Sequence, residues 1–248
     1  MGFDFFVAKY SSDGEAVWFK QYGTDYYESA TDIIADSNGN VYVSGDIDGD
    51  IDGDGPETDH GGYDTFLMQL NSQGAVQWMR QIGSSNNDAG KSLALDASGN
   101  IIFAGYTQGD IYGGGPLTSA GAEDLFVTKY NPAGGVEWVN QTGSSTWDIC
   151  EGLTVDPTGN VYLTGRTSGD FAGPGTFKGT QDILVAKYNG AIGTLMWTQQ
   201  TGSTAGDIGA DIAVNNQGTV NVVGHTLGDL AGVNQGIYDL VLVEYDST

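Results

Sequence analysis

Four tryptophans, Trp18, Trp78, Trp138 and Trp197, stand 60, 60 and 59 residues apart, and Gly23, Gly83, Gly143 and Gly202 keep nearly the same beat. Between them the string Asp4-Phe5-Phe6-Val7-Ala8-Lys9-Tyr10 returns at Asp64 to Leu70, Asp124 to Tyr130, Asp182 to Tyr188 and Asp239 to Tyr245. Self-similarity at a fixed period marks a repeat architecture, in which one supersecondary unit cannot bury its apolar face alone and stacks on its neighbours instead.

Each period reads as strands. The unit Ala94 to Gly105 runs into a polar turn, Ser98-Gly99-Asn100, and out into a β-rich run; Ala35 to Gly45, Thr154 to Gly165 and Ala213 to Gly224 repeat that hairpin. In the first strand Leu93 and Leu95 alternate with the small Ser92 and Ala94, as a crowded inner strand requires. Ile101-Ile102-Phe103 is the second strand and Leu125 to Tyr130 the third, whose polar residues predict growing exposure. The fourth, Val136 to Gln141, carries the tryptophan, and helical spacing is absent. The expected fold is all-β: a β-propeller of four-stranded antiparallel blades in a single domain over residues 1–248. Periods start near 4, 64, 124 and 182, and one surplus strand follows at 239–245.

The ends leave closure open. The chain opens with the third and fourth strands of a blade and ends with the first three of another, so Val17 to Tyr22 could complete the last blade and close a ring of four. Phe5 to Tyr10 and Leu240 to Tyr245 would then compete for one place. The alternatives are a displaced strand, an open arc, or chains joined end to end through their terminal strands.

The run Asp-x-Phe-Val-x-Lys-Tyr, then Gly-x-Val-x-Trp-x-x-Gln-x-Gly-Ser-Ser, then Val-Asp-x-x-Gly-Asn-Val-Tyr-x-x-Gly-x-Thr-x-Gly-Asp, seen from Asp124 to Asp170, resembles the bacterial SBBP β-propeller repeat. The resemblance covers almost the whole chain. It implies a propeller, commonly part of a larger secreted or cell-surface protein, and brings no catalytic residues. The family's name implies seven blades, against four periods here.

With 32 acidic and 8 basic residues the net charge is -24, which repels phosphate backbones and anionic lipid. Nucleic acid is therefore not an expected partner. No apolar run approaches the ~20 residues of a membrane span, so insertion is not expected either. Cys150 is the one cysteine and reads as a small buried hydrophobe. The start has no signal-peptide pattern, and the expected setting is extracellular or cell-surface.

In such blades the long second-to-third-strand loops and the links into the inner strands share one face. That face repeats its acids: Glu28, Asp88, Asp148 and Asp207; Asp50, Asp110, Asp170 and Asp229; and the aspartate opening each third strand. These read either as carboxylates that fix turns through backbone N–H groups or as a cation-binding rim. One loop departs from its counterparts. From Gly45 to Asp59 it holds Asp48-x-Asp50-x-Asp52-Gly53, a spacing that turns successive carboxylates towards one Ca²⁺; Asp54, Asp59 and Asp46 are further candidate ligands. Without flanking helices it is not an EF-hand. The same Gly/Asp run also reads as a solvated acidic loop; His60 abuts it, and Trp147, Tyr26, Tyr27 and Tyr112 either pack or form an aromatic platform for sugar.

No Gly-x-Ser-x-Gly, His-Glu-x-x-His or phosphate-binding Gly-Lys-Ser/Thr string occurs. The expected function is a non-catalytic recognition or structural module, stabilised by Ca²⁺, with a protein or carbohydrate ligand at the long-loop face. The alternatives are a carbohydrate-binding or carbohydrate-degrading propeller and a self-assembling segment.

Overall fold

The computed structural model describes residues 2–50, 61–111, 120–230 and 232–246. Strands and turns make up the described residues. A two-stranded sheet comes first, β1 (Phe5–Tyr10) with β2 (Ala16–Tyr22). Three four-stranded antiparallel sheets follow. They are β3 (Tyr27–Ala35), β4 (Val41–Asp48), β5 (Tyr63–Leu70) and β6 (Val76–Ile82); β7 (Asp88–Leu95), β8 (Ile101–Thr107), β9 (Asp124–Tyr130) and β10 (Val136–Thr142); and β11 (Asp148–Val155), β12 (Val161–Thr167), β13 (Asp182–Tyr188) and β14 (Leu195–Thr201). The last sheet has three strands, β15 (Asp207–Val214), β16 (Val220–Thr226) and β17 (Asp239–Tyr245).

The hairpin between first and second strands is set by its own side chains. Asp36 Oδ1 accepts the N–H groups of Asn38 (2.9 Å) and Asn40 (2.8 Å), and Gly39 takes φ 81°. Asp96 and Asp156 do the same for Ser98, Asn100, Thr158 and Asn160. The carboxylate satisfies donors that a tight turn would otherwise expose.

The pleat then hands alternate side chains to neighbouring sheets. On β9, Phe126 and Tyr130 pack towards the β3–β6 sheet with Tyr42 and Leu67, whereas Leu125 and Val127 pack towards β11–β14 with Leu163 and Leu184. Phe5 and Val7 join Phe66 and Met68; Ile183 and Val185 join Val222 and Val241. Each sheet is thus joined to the next through a shared apolar cluster. The repeated tryptophan adds a polar tie, because its indole N–H reaches the third-to-fourth-strand turn of the following sheet: Trp18 to Ser72 O, Trp78 to Pro132 O and Trp138 to Gly190 O, all 3.1 Å.

One expectation needs correction. The third strand is not progressively exposed: β9 and β13 are buried from end to end. They have a strand on each edge and a sheet on each face, and their polar residues are partnered. Lys129 Nζ, for instance, meets Asp96 at 2.9 Å and Gly190 O at 3.0 Å. Of the alternatives left for the ends, the sheets form an open run and do not close into a ring. β2 pairs with β1, a few residues away, and does not complete the sheet of β17. A contiguous hairpin loses far less loop-closure entropy than a pairing across the whole chain. Phe5 to Tyr10 and Leu240 to Tyr245 therefore sit at opposite ends of the run of packed sheets.

Candidate functional site

The repeated acids each use a carboxylate oxygen to hold nearby backbone or side-chain donors, while Oδ1 of Asp124, Asp148 and Asp182 is buried without a hydrogen-bond partner. Asp124 is fully buried, and its Oδ2 accepts from Ala120 N (2.7 Å) and Gln141 Nε2 (3.1 Å). Asp182 repeats this with Lys178 N (3.0 Å) and Gln200 Nε2 (2.9 Å). At the start of the next inner strand, Asp88 accepts from Ser84 N (2.6 Å), and Asp207 from Ser203 N (2.6 Å) and Thr226 Oγ1. Asp170 holds Phe177 N at 2.9 Å and Asp229 holds Asn234 N at 2.8 Å. The engaged oxygens fix turns, as the first of the two readings of this acidic face has it.

The aspartates of the irregular loop divide. Asp46 and Asp48 belong to β4, and Asp46 points at the neighbouring sheet, its Oδ1 accepting Gly90 N at 2.9 Å. Burial pushes the Asp46 carboxyl up to about 6, against the smaller opposing effects of the Gly90 N–H and Lys91. Asp48 is exposed and Asp50 half-buried, on either side of Gly49, whose carbonyl accepts Gln81 Nε2 at 2.8 Å. Asp52, Asp54, Asp59 and His60 lie outside the described residues. Among the described residues, no group of three or more His, Cys, Asp or Glu side chains is arranged to hold a metal ion.

The aromatic residues build something more definite. Tyr27 stands edge-to-face with Phe3 on one side (5.8 Å between centroids) and Tyr63 on the other (5.7 Å). Tyr27 and Tyr63 line a cavity of about 440 Å³ together with Asp46, Asn87, Asp88 and Tyr106. Lys91 Nζ lies 5.5 Å from the centre of the Tyr106 ring, a cation–π distance. Burial, followed by the charge of Glu123, pushes the Tyr106 phenol above its ordinary pKa. Burial likewise pushes Asp88 up to about 6. The site therefore offers ring faces and edges beside two carboxyls that hold protons more readily than usual.

Tyr27 lines this cavity, whereas the other residues expected to share a platform with it lie elsewhere. Tyr26 is exposed and lies beside Gly49, Tyr112 is outside the described residues, and Trp147 stands two sheets along, before β11, apart from the Tyr27 cavity. Phe3, Tyr63 and Tyr106 were missed. The signal that singled out Trp147, departure from the repeat, marks Tyr106 as well, because the other periods have Asp46, Arg166 and His225 there.

The β-propeller repeat family SBBP matches residues 17–52, 77–113 and 137–172, each stretch running from the fourth strand of one sheet through the first two strands of the next. The chain belongs to the SBBP β-propeller repeat family. Beyond the repeat, this SBBP chain is similar to an uncharacterized WD repeat-containing protein of Acanthamoeba polyphaga mimivirus, 24% identical over 87% of this chain and 19% of that protein. It is also similar to the regulatory protein FlaEY of Caulobacter vibrioides, 30% identical over 73% of this chain and 20% of that protein. The SBBP chain thus spans about a fifth of the length of these curated relatives. Among solved structures it is similar to a luciferin-regenerating enzyme, with a TM-score of 0.47 and 13% identity over 96% of this chain and 70% of that one.

Proposed function

We propose that this chain is a non-catalytic propeller module of an extracellular or cell-surface protein, a single repeat domain over 1–248 whose long-loop face recognises a protein or carbohydrate. Ca²⁺ stiffens the acidic loop that follows β4. One observation supports the non-catalytic reading: one oxygen of the acids that recur is taken up in fixing the local backbone, as Asp124 Oδ2 and Asp182 Oδ2 are by a backbone N–H and a glutamine side chain. Their repetition serves the scaffold. Variation between periods is concentrated on the loop face, where recognition is most readily altered without unfolding the sheets.

The Ca²⁺ part rests on the Asp48-x-Asp50-x-Asp52-Gly53 spacing. Thermal melting with EDTA and with added Ca²⁺ tests it. At a concentration 100 times Kd, an ion bound only by the native state adds about 2.7 kcal/mol, and an unmoved midpoint would remove the ion from the proposal.

The aromatic cavity favours a second reading, a carbohydrate-binding or carbohydrate-degrading propeller. Tyr27, Tyr63 and Tyr106 around about 440 Å³ form the kind of surface on which a sugar ring stacks, with Asp46 and Asp88 near its hydroxyls. A glycan array with wild type and Tyr27→Ala separates the readings. Silence across neutral and acidic polysaccharides would leave protein recognition alone.

A further inference from the structure

The boundary between the β3–β6 and β7–β10 sheets, each with all four strands, carries an aromatic corner that is not repeated at the two boundaries that follow. Tyr27 of β3 and Tyr63 of β5 stand at 86° to one another with centroids 5.7 Å apart, so their faces form two walls at right angles. Tyr106 of β8 adds a third ring, and Asp46 of β4 a carboxyl, to the same cavity of about 440 Å³. One period on, the places of Tyr27, Tyr63 and Tyr106 are held by Asn87, Glu123 and Arg166, and one period further by Trp147, Gln181 and His225. The sheets at those boundaries still pack through shared apolar clusters. The three tyrosines are therefore surplus to the scaffold, and Tyr27 and Tyr63 keep 37% and 43% of their surface exposed.

The amides and carboxyls of the lining already have partners within the chain. Asn87 Oδ1 accepts Tyr63 N at 3.1 Å, Gln108 Nε2 donates to Glu123 Oε1 at 3.0 Å, Asp88 Oδ2 accepts Ser84 N at 2.6 Å and Asp46 Oδ1 accepts Gly90 N at 2.9 Å. What the cavity offers an incoming molecule is ring surface in a negative field. After burial, the charges of Glu123, Asp46 and Glu151 push the Tyr106 phenol up, with Arg166 opposing them. A ring face is itself the negative side of the aromatic quadrupole, and Lys91 Nζ, 5.5 Å from the centre of Tyr106, is a cation that the chain already holds there.

A quaternary ammonium group suits such a lining. It has no N–H to leave unbonded, and it is attracted both by ring faces and by a carboxylate. We propose that this corner binds a quaternary ammonium group, with Tyr27, Tyr63 and Tyr106 as its walls and Asp46 as its counter-charge. The inference rests on the reading of the loop face as a recognition surface, and it names the chemistry recognised at this cavity. The net charge of -24 draws cations towards the whole chain, but at about 0.15 M salt the screening length is about 8 Å and the acids beside the cavity dominate.

Isothermal titration of the whole chain at about 0.15 M salt tests it, with choline and with dimethylbutanol, the uncharged carbon analogue of choline. Choline taken to about 20 mM covers a Kd of about 1 mM and is expected to saturate one site per chain, with the alcohol bound at least about tenfold more weakly. Tyr27→Leu and Tyr63→Leu keep an apolar side chain but remove a ring face, and each is expected to weaken choline about fivefold. Asp46→Asn keeps an acceptor for Gly90 N and removes the charge; it is expected to weaken choline about tenfold and leave the alcohol unmoved. A trimethyl-lysine peptide set beside its unmodified twin separates the two sources of the group: a protein if the methylated peptide binds more tightly than choline, a free small molecule if it does not.

Should the variants fail to fold by circular dichroism, the ratio of choline to alcohol affinity in wild type decides alone. An alcohol bound as well as choline, or folded variants that bind choline like wild type, would overturn the proposal. So would a chain that ignores choline and the methylated peptide alike. If Tyr27→Ala then silences a glycan on the array, the cavity is still a recognition site and only the cation is lost; silence of wild type there as well removes recognition from this cavity altogether.

Discussion

The carboxylate of Asp124 is packed against the Cα of Gly143, so closely that a Cβ at that glycine would lie 2.0 Å from Asp124 Oδ1. Asp64 stands against Gly83 and Asp182 against Gly202 in the same way, at 1.9 and 2.0 Å. The glycine that keeps the beat of the tryptophans is therefore the space into which the buried aspartate of the third strand fits. Gly143→Ala must push that carboxylate away from Ala120 and Gln141, and is expected to cost about 1–3 kcal/mol, the usual penalty of overpacking. Urea denaturation checks it, and an unshifted midpoint would show that the aspartate has room to move.

Lys129 should be costly to truncate. Its ammonium, on a strand buried throughout, is paired with Asp96 at 2.9 Å and with Gly190 O at 3.0 Å. Lys129→Ala leaves the Asp96 charge without its cation, and breaking a buried pair from one side is expected to cost about 3 kcal/mol. Asp96→Asn in the Lys129→Ala background should recover part of the loss, a coupling that a double-mutant cycle in urea measures.

Stability should fall between about pH 4 and pH 7. Burial pushes Asp46 and Asp88 up to about 6, and raises Asp148 and Asp182 as well. A carboxyl with a folded pKa above its unfolded value of about 3.9 binds its proton more tightly in the native state, so stability decreases as pH rises through that window. Asp96 and Asp156 act in the opposite sense. Burial raises both, but hydrogen bonds outweigh it, from Asn100 and Lys129 at Asp96 and from Thr158 and Asn160 at Asp156, and each carboxyl is held below the ordinary range. Their contribution is lost as pH falls below about 4. Melting temperature should therefore peak between about pH 4 and pH 5, and Asp88→Asn should flatten the decline above it; a curve level from pH 4 to 7 would contradict the buried-carboxyl assignment.

Two tryptophans should answer truncation differently. Trp138 is 9% exposed and donates to Gly190 O, whereas Trp147 is 55% exposed. Trp138→Ala is expected to cost about 3–5 kcal/mol and Trp147→Ala no more than about 0.5 kcal/mol. Acrylamide should quench the emission lost in Trp147→Ala and spare that lost in Trp138→Ala.

Much of the fold could be read from the sequence, because each strand is marked by a period-2 pattern and each first turn by an aspartate, a glycine and a residue that completes it. The same local signals placed Tyr27 on the loop face and distinguished Trp147 from the packing tryptophans. What they could not supply was direction. Asp46 reads as a loop carboxylate and instead holds Gly90 across a sheet boundary; Lys129 reads as a mark of exposure and instead sits in a buried strand with its own acid.

The sequence by itself determined the strands, their order within each sheet and the residues that alternate between neighbours, since all three follow from interactions over a few residues repeated at one period. Only the tertiary structure decided that β2 pairs with β1 and leaves the sheet of β17 with three strands, so that the run stays open. Closure pits a local hairpin against a pairing across the whole chain. That balance depends on entropy and on how the sheets pack, which no short stretch of residues encodes.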